Sequence, residues 1–529
     1  MKPNHIPSIF NDVMGPVMRG PSSSHTAAAH RIGSLIRQAV QPNFTKVIVQ
    51  LDRSGALATT YLGQGSAMGM AGGLLNLKMT DAEIINHETH LESSHFAIEY
   101  IITDIENKHP NAYQISVQYP DREDLHILAI STGGGMFEIL EWGAFKVSIK
   151  GDFFESLLFF QNENVKEASK MEQILNTNIS DFKLYKSLDR NGNLLVNIKS
   201  GSSLHKQIEN IPGISEKTKQ KLELIPVMPV PSVSEISLPF TRVEEMLQLA
   251  SNKDLSLSDL AILYESARTG LDANSIIKKM EEIVIIVKNS IDEGLRGTHY
   301  KDRILGTQST LIENAVRKGL IQKTINSNLI AYTSAIMEVK SSMGLIVAAP
   351  TAGSCGVVGG ALFATLQEEE FNLKQMTKAF LAAGIAGVFI AAKYTFSAEE
   401  GGCQVETGSG AAMAADRLVE LNGGTAKQAI DAASMALQNE LGLVCDPVAV
   451  RVEVPCLGKN IMAASNALNS SIMALAGYDP VIPYHEVIDA MKAVGEALPS
   501  TLCCTGLGGL AQTPTGKCLH QKFNDQSNI

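Results

Sequence analysis

The spacing of apolar positions changes along the chain, and each change marks a different kind of packing. Residues 46–51 (KVIVQL) and 113–118 (YQISVQ) alternate or run together with β-branched side chains, as strands do. Residues 66–77 are small and apolar, which predicts a helix packed closely on a sheet. The run STGGG at 131–135 closes this stretch with a turn whose N–H groups, Gly133 and Gly134 among them, can face an anion. An α/β domain is therefore expected over residues 1–140.

From 141 to 226 the elements become short. The pattern predicts strands at 146–149 and 157–161 and a helix at 165–175. A hairpin follows, 182–188 and 194–198, about Asp189-Arg190-Asn191-Gly192, and then a helical stretch at 217–224. This is a small α+β module whose order of elements resembles the ligand-binding ACT modules; a purely structural insertion would give the same pattern. Residues 225–239 hold four prolines, which remove donors and fix φ, so 227–239 reads as a linker.

Beyond the linker the period is helical. Residues 241–250 and 256–266 are amphipathic, and Leu255-Ser256-Leu257-Ser258-Asp259 supplies a helix start. Alanine-rich runs at 379–392, 410–420, 425–438 and 461–476 predict closely packed helices. The fold class expected is multidomain: an α/β domain, a small α+β module, and a largely all-α domain over 240–529. Two uncharged runs imitate membrane spans. The run at 345–366 is broken by Pro350 and several glycines, and the run between Lys378 and Lys393 has only 14 residues. Both read as core.

Composition narrows the function. A chain of 529 residues exceeds one ordinary core. A net charge of −11 leaves no basic surplus for phosphates, which argues against a general nucleic-acid binder. MKPNHIPSIFNDV lacks the apolar run of a signal peptide, so a cytoplasmic protein is expected, with no membrane partner. The seven cysteines, at 355, 403, 445, 456, 503, 504 and 518, are odd in number and confined to the second half. That is no disulfide framework. Metal ligation or plain core burial remain.

Cys403, Cys445 and Cys456 each sit near a glycine or proline at a break between helices, in EEGGCQVETGSG, LGLVCDPVAV and VEVPCLGKN. Their spacing is neither a zinc-ribbon pair nor a ferredoxin run. The run GPSSSHT (20–26) brings three serines, a threonine and an imidazole into one turn. Ser22, Ser23, Ser24 and Thr26 can hold a carboxylate there while His25 orients or moves a proton; the same residues also suit a helix N-cap. Thr351 and Ser354 in PTAGS can address the same anion, or simply belong to a helix-breaking turn.

From about residue 236 the chain resembles the α chain or domain of the iron–sulfur-dependent L-serine dehydratases. The runs that carry this are AAPTAGSCGVVGG (348–360), EEGGCQVETGSG (399–410), LGLVCDPVAVRVEVPCLGKN (441–460) and TGLGGLAQTPTG (505–516). The first segment resembles the family's β domain through GPSSSHT and STGGG, so the chain looks like a single-chain fusion. The resemblance implies a 4Fe–4S cluster on Cys403, Cys445 and Cys456 with one iron open to substrate. It also implies β-elimination of water from L-serine to give pyruvate and ammonia, with His25 catalytic and Ser22, Ser23, Ser24, Thr26, Gly133, Gly134, Thr351 and Ser354 binding substrate. A homodimer is the expected assembly.

The departures are specific. Family β domains carry a histidine where this chain has Leu62-Gly63-Gln64-Gly65-Ser66-Ala67, and Gln64 cannot act as a base. His25, or one of His87, His90 and His95, must then substitute. Otherwise the substrate is another β-substituted amino acid, threonine or cysteine, or the chain is a non-catalytic iron–sulfur sensor of amino acids. Cys355 is read as core, Glu399 and Glu400 as exposed, and a fourth ligand is left open among Cys503, Cys504 and Cys518.

Overall fold

The computed structural model describes residues 6–161, 165–179, 181–211, 218–366 and 371–527. The chain does not begin in the domain where the sequence placed it. Ser8 caps a short helical turn, Ile9–Val13, by accepting from the N–H groups of Phe10 and Asn11. Ile9 and Val13 seat on helix Leu373–Lys393 at Gly384 and Gly387, where a Cβ would come within 2.6 and 2.2 Å of them. Strand β1 (Val17–Met18) then pairs antiparallel with Ile346–Val347. Residues 9–18 are thus built into the helical core and not into the first sheet.

The first sheet has six strands: β2 (Lys46–Asp52), β3 (Ala97–Thr103), β4 (Ala112–Gln118), β5 (Leu125–Gly133), β6 (Met136–Trp142) and β7 (Phe145–Ile149), in the order β3-β2-β4-β5-β6-β7. Only β2 and β3 are parallel. The sheet continues past residue 140 to Ile149. Val47, Val49 and Leu51 alternate into a core shared with helix Ala28–Ala39. The predicted close-packed helix is present as Ser66–Leu74. Its small residues have a reason: a Cβ on Gly69 would lie 2.1 Å from Thr26 O, and one on Gly73 2.2 Å from His30 O.

The middle module runs β8 (Phe154–Phe160), helix Val165–Asn178, β9 (Phe182–Leu188), β10 (Leu194–Ser200), helix His205–Glu209, β11 (Gln220–Leu224), with sheet order β11-β8-β10-β9, all antiparallel. This is the split βαβ arrangement. The stretch expected to be helical at 217–224 is strand β11 from Gln220 onward, and Lys217 lies outside the described residues. Leu222 and Leu224 repeat at period two and pack on the first domain's core, so pairing with β8 overrides helix propensity. The linker has no regular element, yet it is anchored. Asn11 Nδ2 donates to Val230 O (2.8 Å), and Val230 N donates to Asn11 Oδ1 (3.1 Å).

The helical domain follows the alanine-rich pattern: Leu373–Lys393, Thr407–Leu421, Ala426–Gln438 and Cys456–Leu475 pack on one another. Among the described residues, Leu373–Lys393 alone is long and apolar enough to cross a membrane, and 89% of its most apolar 18-residue stretch is buried. Between the helices lie the breaks that carry the cysteines.

Candidate active site

The first and helical domains meet at the 22–26 turn. Ser22 makes no capping bond; its Oγ lies 3.0 Å from His25 Nδ1 instead. Ser23 Oγ accepts from Ala352 N of the helical domain (3.1 Å), and Thr26 Oγ1 donates to Gln64 O (3.0 Å). Gly20 allows the entry into the turn, with φ of +114° and Thr26 where a Cβ would go.

His25 is fully buried. Its Nε2 lies 2.8 Å from Thr60 Oγ1, and Thr60 donates its own proton to Ala56 O (2.6 Å). Thr60 can then only accept from His25, so Nε2 carries the hydrogen and Nδ1 is the basic nitrogen. Nδ1 faces Ser22, Ser24 (3.1 Å) and Oε1 of Glu399 (3.4 Å). Burial pulls the pKa of His25 below the ordinary histidine value, against the pull of Glu399.

Glu399 corrects an expectation. Read as exposed, it is 7% exposed, in the short helix Ala398–Gly401, and faces the other domain. Ser24 Oγ donates to Oε1 (2.9 Å) and Ser397 Oγ to Oε2 (2.7 Å). Burial pushes its pKa up, but His25 and these hydroxyls outweigh it and hold the carboxyl below its usual range. Glu400 is only half-buried and accepts from Thr395 (3.3 Å).

STGGG forms the β5–β6 turn, with positive φ at Gly133, Gly134 and Gly135. Arg31 holds it by donating to Gly135 O (2.6 Å). A Cβ on Gly133 would lie 2.5 Å from Ser397 N, and Gly134 lies against Asp12 and Pro350. These glycines let the 397–399 segment approach.

On the helical side, Thr351 Oγ1 accepts from Ser354 N (3.2 Å) and donates to Glu406 Oε1 (2.6 Å). Glu406 is pushed up to about 7 by burial, opposed by the Thr351 bond and reinforced by the Glu399 charge. Donor atoms of Cys403, Glu406 and Cys445 lie within 4.8 Å of one another. Gly402, with φ of +73°, sets Cys403 against Leu443. Cys445 is fixed by backbone bonds to Leu502 (2.7 Å) and from Cys504 (2.9 Å). Cys456 opens helix Cys456–Leu475 behind Pro455, and Asn460 Nδ2 ties Cys456 O (2.9 Å) to Gly353 O (2.8 Å). All three cysteines are buried and free. Contacts with Cys403 and Cys504, together with burial, push the Cys445 thiol well up, and burial does the same to Cys456. Lys459 Nζ lies 3.7 Å from Cys403 Sγ and 3.0 Å from Asp446 Oδ1.

Of the remaining candidates, Cys504 packs against Cys403 and Cys445 while Cys518 is exposed. Cys355 is core, 3.7 Å from Met337 Sδ. Gln64 is buried and donates to Cys504 Sγ. His90 pairs with Glu83, His95 packs on Phe44 and Phe96, and His87 sits among Ile84, Ile85 and Glu88, so of these candidates His25 is the one brought to the junction. His109, which the sequence reading did not consider, reaches it at 3.9 Å from Glu400 Oε1. Sequence reasoning missed Thr60, Glu399, Glu406 and Lys459. Glu406, three residues after Cys403 and flanked by small or apolar residues, was a readable signal: a lone charge in such a run is destined for a partner.

A junction that gathers thiols, carboxyls and a buried imidazole, largely shielded from water, has the make-up of an enzyme's active site. Residues 233–511 match the family described as Serine dehydratase alpha chain. The chain is 40% identical over 288 residues to the probable L-serine dehydratase alpha chain of Bacillus subtilis, which covers 54% of this chain and 95% of that one. It is 36% identical to the L-serine dehydratase alpha chain of Peptoniphilus asaccharolyticus (53% and 96% covered). It is 30% identical to the L-serine dehydratase of Helicobacter pylori (53% and 62% covered). The chain belongs to the serine dehydratase alpha-chain family.

Proposed function

We propose that the protein is an L-serine dehydratase, a lyase that converts L-serine to pyruvate and ammonia, and that Cys403, Cys445 and Cys456 hold a 4Fe–4S cluster. The observation that carries the reading is a group of buried free thiols: Cys403 and Cys445 have donor atoms within 4.8 Å of one another and of Glu406, Cys504 packs against both, and Cys456 is near enough to feel the Cys403 charge. The donor set fits the group. Thiolates are the usual ligands of iron–sulfur clusters, and thiols held protonated by burial are deprotonated when a metal binds. Lys459 beside Cys403 offsets the negative charge that results.

When bound, the cluster supplies a Lewis-acidic iron for the substrate's hydroxyl and carboxylate. The chain's own residues do the rest. Ser22 and Ser354 supply hydroxyls for the carboxylate, Ser24 and Thr351 hold Glu399 and Glu406 beside it by donating to them, and the turn formed by Ser23, Thr26, Gly133 and Gly134 keeps them in register. His25, held in one tautomer by Thr60, takes the α-proton at Nδ1. Burial of the junction excludes water from that transfer. The split βαβ topology supports an ACT-like role for the middle module.

The test is anaerobic purification followed by iron and sulfide analysis and a pyruvate assay with L-serine. About four irons per chain, visible absorbance and pyruvate formation are expected. A colourless, iron-free protein that deaminates serine would overturn the cluster, and a cluster-bearing protein that makes no pyruvate would overturn the activity.

A further inference from the structure

We infer that Glu399 is the positioning residue of proton transfer: a carboxylate delivered from the helical domain that orients His25 and balances the charge His25 acquires when it takes the substrate's proton. The inference rests on the reading of His25 as the base.

Three observations carry it. The first is the partner. Among the described residues Glu399 has one ionic partner within 4.0 Å, and that partner is His25. A carboxylate buried for structure alone is normally matched by a permanent cation, because an unmatched buried charge is strongly destabilising. Matching it to an imidazole leaves the pair complete only while a proton is present.

The second is the way the carboxylate is held. Ser24 and Ser397 donate one hydroxyl each, to different oxygens, and Oε1 still faces Nδ1. Thr60 fixes the far side of the ring, so Nδ1 is the nitrogen that gains and loses the proton. The third is the surroundings. Among the described residues, the Glu399 charge also bears on Tyr113, Cys503, Cys504 and Glu406. All four are acids, so none competes with His25 as a cation.

The step balances. The Cα–H bond breaks and its proton goes to His25 Nδ1, while the electron pair becomes the Cα–Cβ double bond. The Cβ–O bond breaks, and hydroxide leaves with the proton returned from His25, as water. The aminoacrylate tautomerises to the imine, which water hydrolyses to pyruvate and ammonia. Glu399 neither gains nor loses a bond; it faces the imidazolium while that exists.

The test uses the full chain labelled with ¹⁵N-histidine, the His25 signal being assigned by its loss in His25→Asn. Glu399→Gln is expected to lower the proton affinity of His25 by about tenfold or more and kcat on L-serine by about 10²-fold. KM and iron content should change by less than threefold or so, and Glu399→Asp should recover part of the loss. Ser397→Ala removes a donor but leaves the carboxylate, so it should shift the proton affinity of His25 the opposite way. If neither Glu399→Asp nor Ser397→Ala moves the His25 titration, or if Glu399→Gln keeps wild-type kcat, the inference is overturned. A wild-type protein that makes no pyruvate would instead overturn the activity, and the titration would still decide the pair.

Discussion

Gln64 Nε2 donates a hydrogen bond to Cys504 Sγ across 3.3 Å, joining residues 440 positions apart. The same residue's carbonyl accepts from Thr26, so one glutamine links the His25 turn to the thiols. An amide binds no proton near neutral pH, so its contribution is alignment. Gln64→Leu is expected to cost about 1 kcal/mol of stability and to lower turnover by less than about tenfold. His25→Ala, which removes a positioned base, should cost about 10²–10⁴-fold. Turnover of the two variants at equal iron content is the comparison; a larger loss from Gln64→Leu would make the glutamine a participant in the chemistry.

Replacing any one of Cys403, Cys445 and Cys456 by serine should remove the visible absorbance and the iron together, since each supplies one of three proposed ligands. Cys355→Ala, in the core beside Met337, and Cys518→Ser, on the surface, should leave both in place. Iron per chain after anaerobic reconstitution decides it. A Cys445→Ser protein with full iron content would refute the ligand set.

Gly69→Ala tests how the turn is held. Alanine normally favours a helix over glycine by about 1 kcal/mol, but here the new Cβ would meet Thr26 O at 2.1 Å, a backbone atom that cannot move alone. The variant should therefore be less stable by about 1–3 kcal/mol, and its turnover should fall with the displaced turn. Denaturant midpoints and kcat report the two effects separately, and a stabilised variant would show that the turn yields easily.

Glu440 gives a pH dependence of known sign. It accepts from Thr407 (3.2 Å) and Asn466 (3.4 Å), but burial dominates and pushes it up to about 7. The folded protein binds this proton more tightly than the unfolded chain does. The contribution is therefore full below the ordinary glutamate range and declines as pH rises towards 7. Above that the charged form destabilises the fold, by about 3 kcal/mol for a shift of this size. Glu440→Gln should raise stability at pH 8, change little at pH 4.5, and flatten the slope between. Urea unfolding of apo protein at both values measures it, and equal effects at the two would contradict the assignment.

What the sequence revealed follows how local each signal is. Strands β2 and β4, the hairpin at Asp189 and the alanine-rich helices depend on neighbours a few residues away, and they appear where the pattern put them, whereas β3, β5 and β6 were not read and β7 joins the first sheet and not the middle module. The GPSSSHT turn and the cysteines were visible as motifs, and Gln64, which holds Thr26 and reaches Cys504, ties the turn to the thiols packed at Cys403 and Cys445. Glu399 was misread because its burial depends on Ser24, 375 positions earlier. Strand β11 was misread because β8, which it completes, lies some sixty residues upstream. The seat of Ile9 and Val13 on Gly384 and Gly387 leaves no local trace at either end.

That seat has a consequence for how the protein is made. At translation rates of ~5–20 residues per second, Val13 leaves the ribosome roughly 20–75 s before the glycine that receives it. For that interval Ile9, Phe10, Val13 and Met14 have no groove to occupy, although the sheet domain beside them can already form. Residues 9–14 must therefore be held unaggregated, free or by a chaperone, until residues 373–393 emerge. A sequence joined before Ser8 or after residue 527 would leave that wait unchanged, whereas one inserted between Met14 and Leu373 would lengthen it.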